Sequence, residues 1–173
     1  MATKGKILVF TGTDHEDLEL QYPRLRLIEA GYEVVVAGPE AGTVYRGKHG
    51  YPSRSDLAIR EVEAFDYRGL VLPGGWMPDA LRRDPKVLAI TRAMHESKRL
   101  LASICHGPWI AISAGVVRGY RYTSTPGIRD DLVNAGAEWS DAPLVIDRHH
   151  VSSRRPDDLP AFLRGILEVL GEA

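Results

Sequence analysis

One cysteine stands in the 173 residues, and its neighbours give it a chemical role. A lone thiol is either a small buried apolar group or a reactive one. Cys105 sits in Ser103-Ile104-Cys105-His106-Gly107-Pro108, directly after the apolar run Leu100–Ile104. Small residue, any residue, nucleophile, any residue, glycine is the spacing of a sharp strand-to-helix turn that lifts a nucleophile out of the sheet. Such a turn strains the backbone of Cys105 and crowds Ser103 against Gly107. The helix opening at Pro108 points its free N–H groups toward the sulfur, and its dipole is expected to lower the thiol pKa. His106 has two readings. It either caps and packs, contributing its backbone N–H, or its imidazole takes and returns the thiol proton.

Those residues need partners that arrive on the same sheet edge. Apolar runs at Lys6–Phe10, Tyr32–Ala37, Arg68–Leu72 and Leu100–Ile104 alternate with helical patterns, which predicts a mainly parallel sheet covered on both faces. Leu18, Tyr22, Leu25 and Ile28 recur at helical spacing, with Pro23 expected to kink that helix or end its first turn. Residues 38–60 read as a loop or hairpin excursion with a short strand near Leu57–Ile59. Asp84-Pro85 opens a helix running to about Lys98, and further helices are expected over Pro108–Ala114, Pro126–Ala135 and Pro156–Leu170. Tyr120–Ser124, Leu144–Ile146 and His150–Ser152 complete the expected strands. No repeat or linker breaks the chain, so residues 1–173 read as one domain.

Sites in such sheets lie beyond the carboxyl ends of the strands. After Arg68–Leu72 come Pro73-Gly74-Gly75, whose backbone N–H groups, with that of His106, could form an oxyanion hole. After Lys6–Phe10 comes an acidic loop. Asp14 and Asp17 read as capping residues there, while Glu16 is expected to converge on Cys105. A carboxyl beside the sulfur would donate to it if protonated and would raise the thiol pKa if ionised. Trp109, just past the elbow, reads as core.

Taken in order, several motifs resemble the PfpI-type intracellular protease family, within the parkinsonism-associated deglycase and class I glutamine amidotransferase-like superfamily. They are Glu16-Asp17-Leu18-Glu19-Leu20, Gly47-Lys48-His49-Gly50-Tyr51, Pro73-Gly74-Gly75-Trp76-Met77-Pro78-Asp79, the elbow, and Ser153-Arg154-Arg155-Pro156-Asp157-Asp158-Leu159-Pro160. The resemblance implies a flavodoxin-like three-layer sandwich with Cys105 as nucleophile, Glu16 hydrogen-bonded to the sulfur and His106 as proton partner. It implies that Asp79, from a neighbouring copy, orients the imidazole, although the family pattern has the longer Glu at that place. His49, Trp76 and Met77 are expected around the site mouth, Met77 narrowing it. It further implies a homo-oligomer, dimer or hexamer, and a hydrolase acting on peptide, amide or glycated carbonyl adducts. A cofactorless glyoxalase or hydratase-type enzyme would use the same residues; His106 argues against the isonitrile hydratase branch. A stress protein that merely oxidises at Cys105 is the non-enzymatic alternative.

The remaining features narrow the choice. The net charge of −1 offers no field for nucleic acid. No run of about 18 apolar residues crosses a membrane, and the N-terminus carries no secretory pattern, so a cytoplasmic protein is expected. His149-His150 and His49 raise a metal reading. Adjacent histidines on a strand point to opposite faces, however, so neither metal nor cofactor is expected.

Overall fold

The computed structural model describes residues Thr3–Gly171; the outermost two positions at each end of the expected 1–173 domain lie outside the described residues. In chain order the elements are β1 (Lys6–Phe10), α1 (Asp17–Glu29), β2 (Glu33–Gly38), β3 (Val44–Arg46), β4 (Pro52–Arg54) and β5 (Leu57–Ala58). There follow β6 (Tyr67–Leu72), α2 (Met77–Leu81), α3 (Pro85–Glu96), β7 (Leu100–Ile104), α4 (Pro108–Ala114) and β8 (Arg121–Tyr122). The chain closes with α5 (Arg129–Asn134), β9 (Glu138–Trp139), β10 (Val145–Asp147), β11 (His150–Ser153) and α6 (Leu159–Val169).

Seven strands form the central sheet in the order β10-β11-β7-β6-β1-β2-β5, all pairs parallel except β10 with β11. Strand alternation explains the two cores. On β1, Ile7 and Val9 face one side and Leu8 and Phe10 the other. The first side packs against α1 and α6 through Leu20, Leu27, Phe162 and Ile166. The second packs against α2, α3 and α4 through Leu81, Val87, Ile90, Met94 and Ile110. Near-continuous apolar strands are what a sheet buried on both faces requires. The architecture is the expected flavodoxin-like sandwich.

Local chemistry sets the helix ends. Asp84 caps α3 by accepting from Lys86 N at 2.8 Å. Gly115, at φ 77°, closes α4. Three sequence expectations change. Helix α1 does not end its first turn at Pro23 but continues to Glu29; Pro23, which has no N–H to donate to the Glu19 carbonyl, is buried together with Leu20 and Leu27. The periodic Leu18, Tyr22, Leu25 and Ile28 are 39–58% exposed and form the outward face of α1. The expected strand over Tyr120–Ser124 shortens to β8, which pairs with β9 outside the main sheet. The expected helix over Pro126–Ala135 begins as a 3₁₀ turn at Pro126–Ile128. Residues 38–60 do form a hairpin, β3 against β4.

Phe162 fills the interface between α6 and the sheet and is fully buried. Phe162→Ala should cost about 3–5 kcal/mol in denaturant unfolding. A loss under about 1 kcal/mol would contradict this account of the α1/α6 core.

Candidate active site

Three loops meet at the carboxyl ends of β1, β6 and β7. The β1 loop clasps the β6 loop: His15 and Gly75 form an antiparallel bridge, Glu16 N donates to Gly74 O at 3.1 Å, and Trp76 N donates to Asp14 O at 2.9 Å. The third loop is the elbow. Cys105 takes φ 61°, the left-handed region that non-glycine residues avoid. Gly107 is what allows it: a Cβ there would lie 2.2 Å from Leu72 O. Cys105 N donates to Ser153 O at 3.1 Å and Thr125 N donates to Cys105 O at 3.2 Å, so the strained residue is held from both sides.

The imidazole of His106 turns toward the sulfur, Nδ1 lying 3.3 Å from Sγ. It also packs against two indoles, with ring centroids 5.1 Å from Trp76 and 4.8 Å from Trp109, which lie 6.4 Å from each other. Trp109 is therefore half-buried behind the imidazole and not core; its Nε1 is drawn outward to donate to Asp131 Oδ2 at 2.8 Å. Burial, then the positive charge of Lys48, hold His106 below the ordinary histidine range, so at neutral pH its ring is uncharged and can accept a proton.

The carboxyl that acts on the sulfur is Glu19, not Glu16. Glu16 is the N-cap of α1: its Oε2 accepts from Glu19 N at 2.8 Å, and Oε1 lies 3.8 Å from His49 Nε2. One turn along, Glu19 points into the site and is fully buried. Its Oε2 accepts from Gly74 N at 2.8 Å. That bond also removes Gly74 from the expected oxyanion donors. The backbone N–H groups of Gly75 and His106 are the ones that point at Sγ.

Glu19 and Cys105 shape each other's ionisation. Burial, reinforced by the neighbouring Glu16 charge, pushes the Glu19 carboxyl up to about 8. Burial, then repulsion by an ionised Glu19, pushes the Cys105 thiol up to about 12, against the two N–H donors. The lowered thiol expected from the helix dipole is thus overturned. Helix α4 is only seven residues long, and desolvation of the sulfur outweighs its dipole. Up to about pH 8 the carboxyl holds its proton, and the repulsion is absent.

A pocket of ≈ 270 Å³ opens over the sulfur, walled by Glu16, Lys48, His49, Trp76, His106 and Arg155 among others. The β3–β4 turn forms its rim because Asp17 accepts from His49 N at 2.9 Å and Tyr51 N at 2.7 Å. His49 and Trp76 stand at the mouth as expected. Met77 does not: it is 1% exposed and packs beneath Gly12 in the core. Asp79 lies outside this pocket, exposed on α2 and paired with Arg83 one turn on. Sequence reasoning missed Glu19, Lys48 and Arg155. The usable signal for Glu19 was its place three residues after a cap, which turns it to the same side of α1 as Glu16.

The raised Glu19 pKa has a consequence for stability. The unfolded carboxyl ionises near 4.5, while the folded one keeps its proton until about 8. Folding is therefore opposed increasingly between those values, by up to about 3 kcal/mol at pH 7. Glu19→Gln should remove that opposition. Thermal melts should show the variant little changed at pH 4.5 and increasingly stabilised toward pH 8. A gain that does not vary with pH would contradict the assignment.

Comparison with known proteins agrees with the geometry. The profile of the DJ-1/PfpI family matches residues 5–169. The chain is 48% identical over 165 residues to deglycase PH1704 of Pyrococcus horikoshii, covering 95% of this chain and 99% of that one. It is 42% identical over 165 residues to the putative cysteine protease YraA of Bacillus subtilis, covering 95% and 98%. Among solved structures, a two-domain protein of Anabaena variabilis containing DJ-1/ThiJ/PfpI-like and ferritin-like domains superposes with a TM-score of 0.94 at 36% identity. That match spans 97% of this chain and 48% of the Anabaena one. The chain belongs to the DJ-1/PfpI family.

Proposed function

We propose that this protein is a cysteine-dependent hydrolase of the deglycase type, acting on a carbonyl carbon in a small adduct or an exposed side chain. The observation that carries this is the Cys105 sulfur, strained at the elbow within reach of both the His106 imidazole and the N–H groups of Gly75 and His106. The names of two relatives, a deglycase and a putative cysteine protease, point to the same chemistry. The pocket is small against the several hundred Å³ typical of drug-sized ligands, which favours a compact adduct over an extended peptide.

The mechanism follows from the protonation states. Because burial disfavours a resting thiolate, the thiol proton leaves as the sulfur attacks, passing to neutral His106 Nδ1. A sulfur–carbon bond forms, and the carbonyl oxygen becomes an oxyanion met by the Gly75 and His106 N–H groups. The oxyanion collapses, the bond from that carbon to its heteroatom breaks, and His106 returns the proton to the departing heteroatom, leaving a thioester. Water adds to the thioester carbon, the sulfur–carbon bond breaks, and the acid leaves with the thiol restored. Protonated Glu19 keeps a second negative charge away from the sulfur during attack. Lys48 and Arg155 in the pocket wall suit a substrate with a negative or strongly polar group.

Residues 1–173 act as one domain in this reading, and the reduced thiol suits the cytoplasm. Self-association completes it. The outward stripe of Leu18, Tyr22, Leu25 and Ile28 is an apolar face that a second copy would cover. Asp79 can orient an imidazole only across such a contact, after release from Arg83.

The test is turnover of carbonyl adducts of small amines and thiols, followed by release of the free amine or thiol. Cys105→Ala should fold normally and lose at least about a thousandfold in kcat/KM. Turnover that survives the substitution in a correctly folded protein would end the proposal. A hydroxy acid formed from the free dicarbonyl alone would instead favour the glyoxalase reading.

A further inference from the structure

Three histidines that this chemistry does not use meet at the opposite end of the sheet. His150 opens β11 in register with Leu101, and Leu101 N donates to His149 O at 2.9 Å. Cys105 lies four residues further along β7, about 13 Å away. His149 precedes the strand, at a turn where Arg148 takes φ 58°. Strand alternation therefore does not apply to it, and its ring swings to the same side as that of His150, with centroids 4.5 Å apart. The third ring comes from His95 in the last turn of α3, whose Nδ1 lies 2.9 Å from His150 Nε2.

We propose that His95, His149 and His150 form a binding site for one divalent cation of the zinc class, a clamp between the end of α3 and the β10–β11 turn. One ring nitrogen from each residue lies within 4.8 Å of the others. Ligand nitrogens at about 2.0–2.1 Å from a tetrahedral ion sit a little over 3 Å apart, so a small closure of this cluster suffices. His149 Nε2 is buried and has no hydrogen-bond partner, although the residue is only 9% exposed. A buried imidazole nitrogen left unpaired is costly unless something fills the position.

The surroundings match a ligand set. The far nitrogen of His150, Nδ1, lies 2.5 Å from the buried Tyr122 hydroxyl, and Tyr120 stacks on the ring at 4.1 Å. A hydroxyl holding the second nitrogen is what fixes the tautomer and angle of a metal-bound histidine. Burial keeps all three rings below the ordinary histidine range, leaving neutral lone pairs. The proton between His95 and His150 needs only to move to the other nitrogen of His95 for both facing lone pairs to be free. The carbonyl end of α3 favours a cation. The nearby charges balance, Lys98 and Arg148 against Glu96 and Asp147, with Arg148 already paired to Asp147. The groove beside the cluster leaves the fourth position to water.

Zinc chloride titrated calorimetrically into chelator-stripped Cys105→Ala protein tests the site with the thiol removed as a competitor. One zinc per chain should bind and raise the melting temperature. His95→Ala, at a partly exposed helix end, and His149→Asn should each fold without zinc and weaken binding at least about tenfold. In zinc-soaked crystals of the unsubstituted protein, the anomalous peak should lie among the three imidazoles. No one-to-one binding would overturn the proposal. So would binding undiminished in both variants, binding lost in His49→Ala instead, or a peak elsewhere.

Discussion

The site depends on how closely the carboxyl ends of β6 and β7 approach. Leu72 and Ser103 are register partners, and the chain leaving β7 must turn at once into α4. The carbonyl of Leu72 occupies the space a side chain at 107 would need, so the turn closes only over a glycine. Closing it places Cys105 at positive φ and lifts its sulfur above the sheet. A residue so strained persists only where its surroundings over-determine it. Here the backbone of Ser153 and Thr125 does so on either side. The chemistry is thus a product of packing between two core strands, and the two hydrophobic layers that clamp those strands are part of its support.

Burial then decides the character of that sulfur. An exposed thiol at a helix start would ionise easily. This one shares an enclosed corner with a carboxyl that is itself fully buried, and both are pushed upward. Two like charges cannot be afforded side by side in such a corner, so a proton is kept between them through the neutral range. A neutral imidazole lies 3.3 Å from that sulfur. Its orientation is fixed partly by Trp76 and Trp109, whose indoles pack against it. The ring therefore has supports within its own chain.

The same sheet carries two unlike ends. At the carboxyl end, loops from three strands bring together glycines, a thiol and a carboxyl. At the amino end, a helix terminus and a tight turn bring together three imidazoles over two tyrosines. The first arrangement is written in short motifs, each lying after an apolar run. The second is assembled from positions 95, 149 and 150, which no local pattern connects.

The amino-acid sequence by itself determined the layered fold, the elbow at Cys105 and the family to which the chain belongs. Periodicity, turn glycines and motif order are local, and local signals survive without coordinates. Only the tertiary structure decided which glutamate reaches the sulfur, because Glu16 and Glu19 differ by one helical turn and the choice rests on where α1 begins. It alone turned Met77 inward and set Trp109 against the His106 ring. It placed the stripe of Leu18, Tyr22, Leu25 and Ile28 outside, since helical spacing reveals an apolar face without saying what that face meets. It also reversed the expected direction of the thiol pKa, because desolvation depends on how many atoms surround a group, and that number exists only once the chain has closed around it.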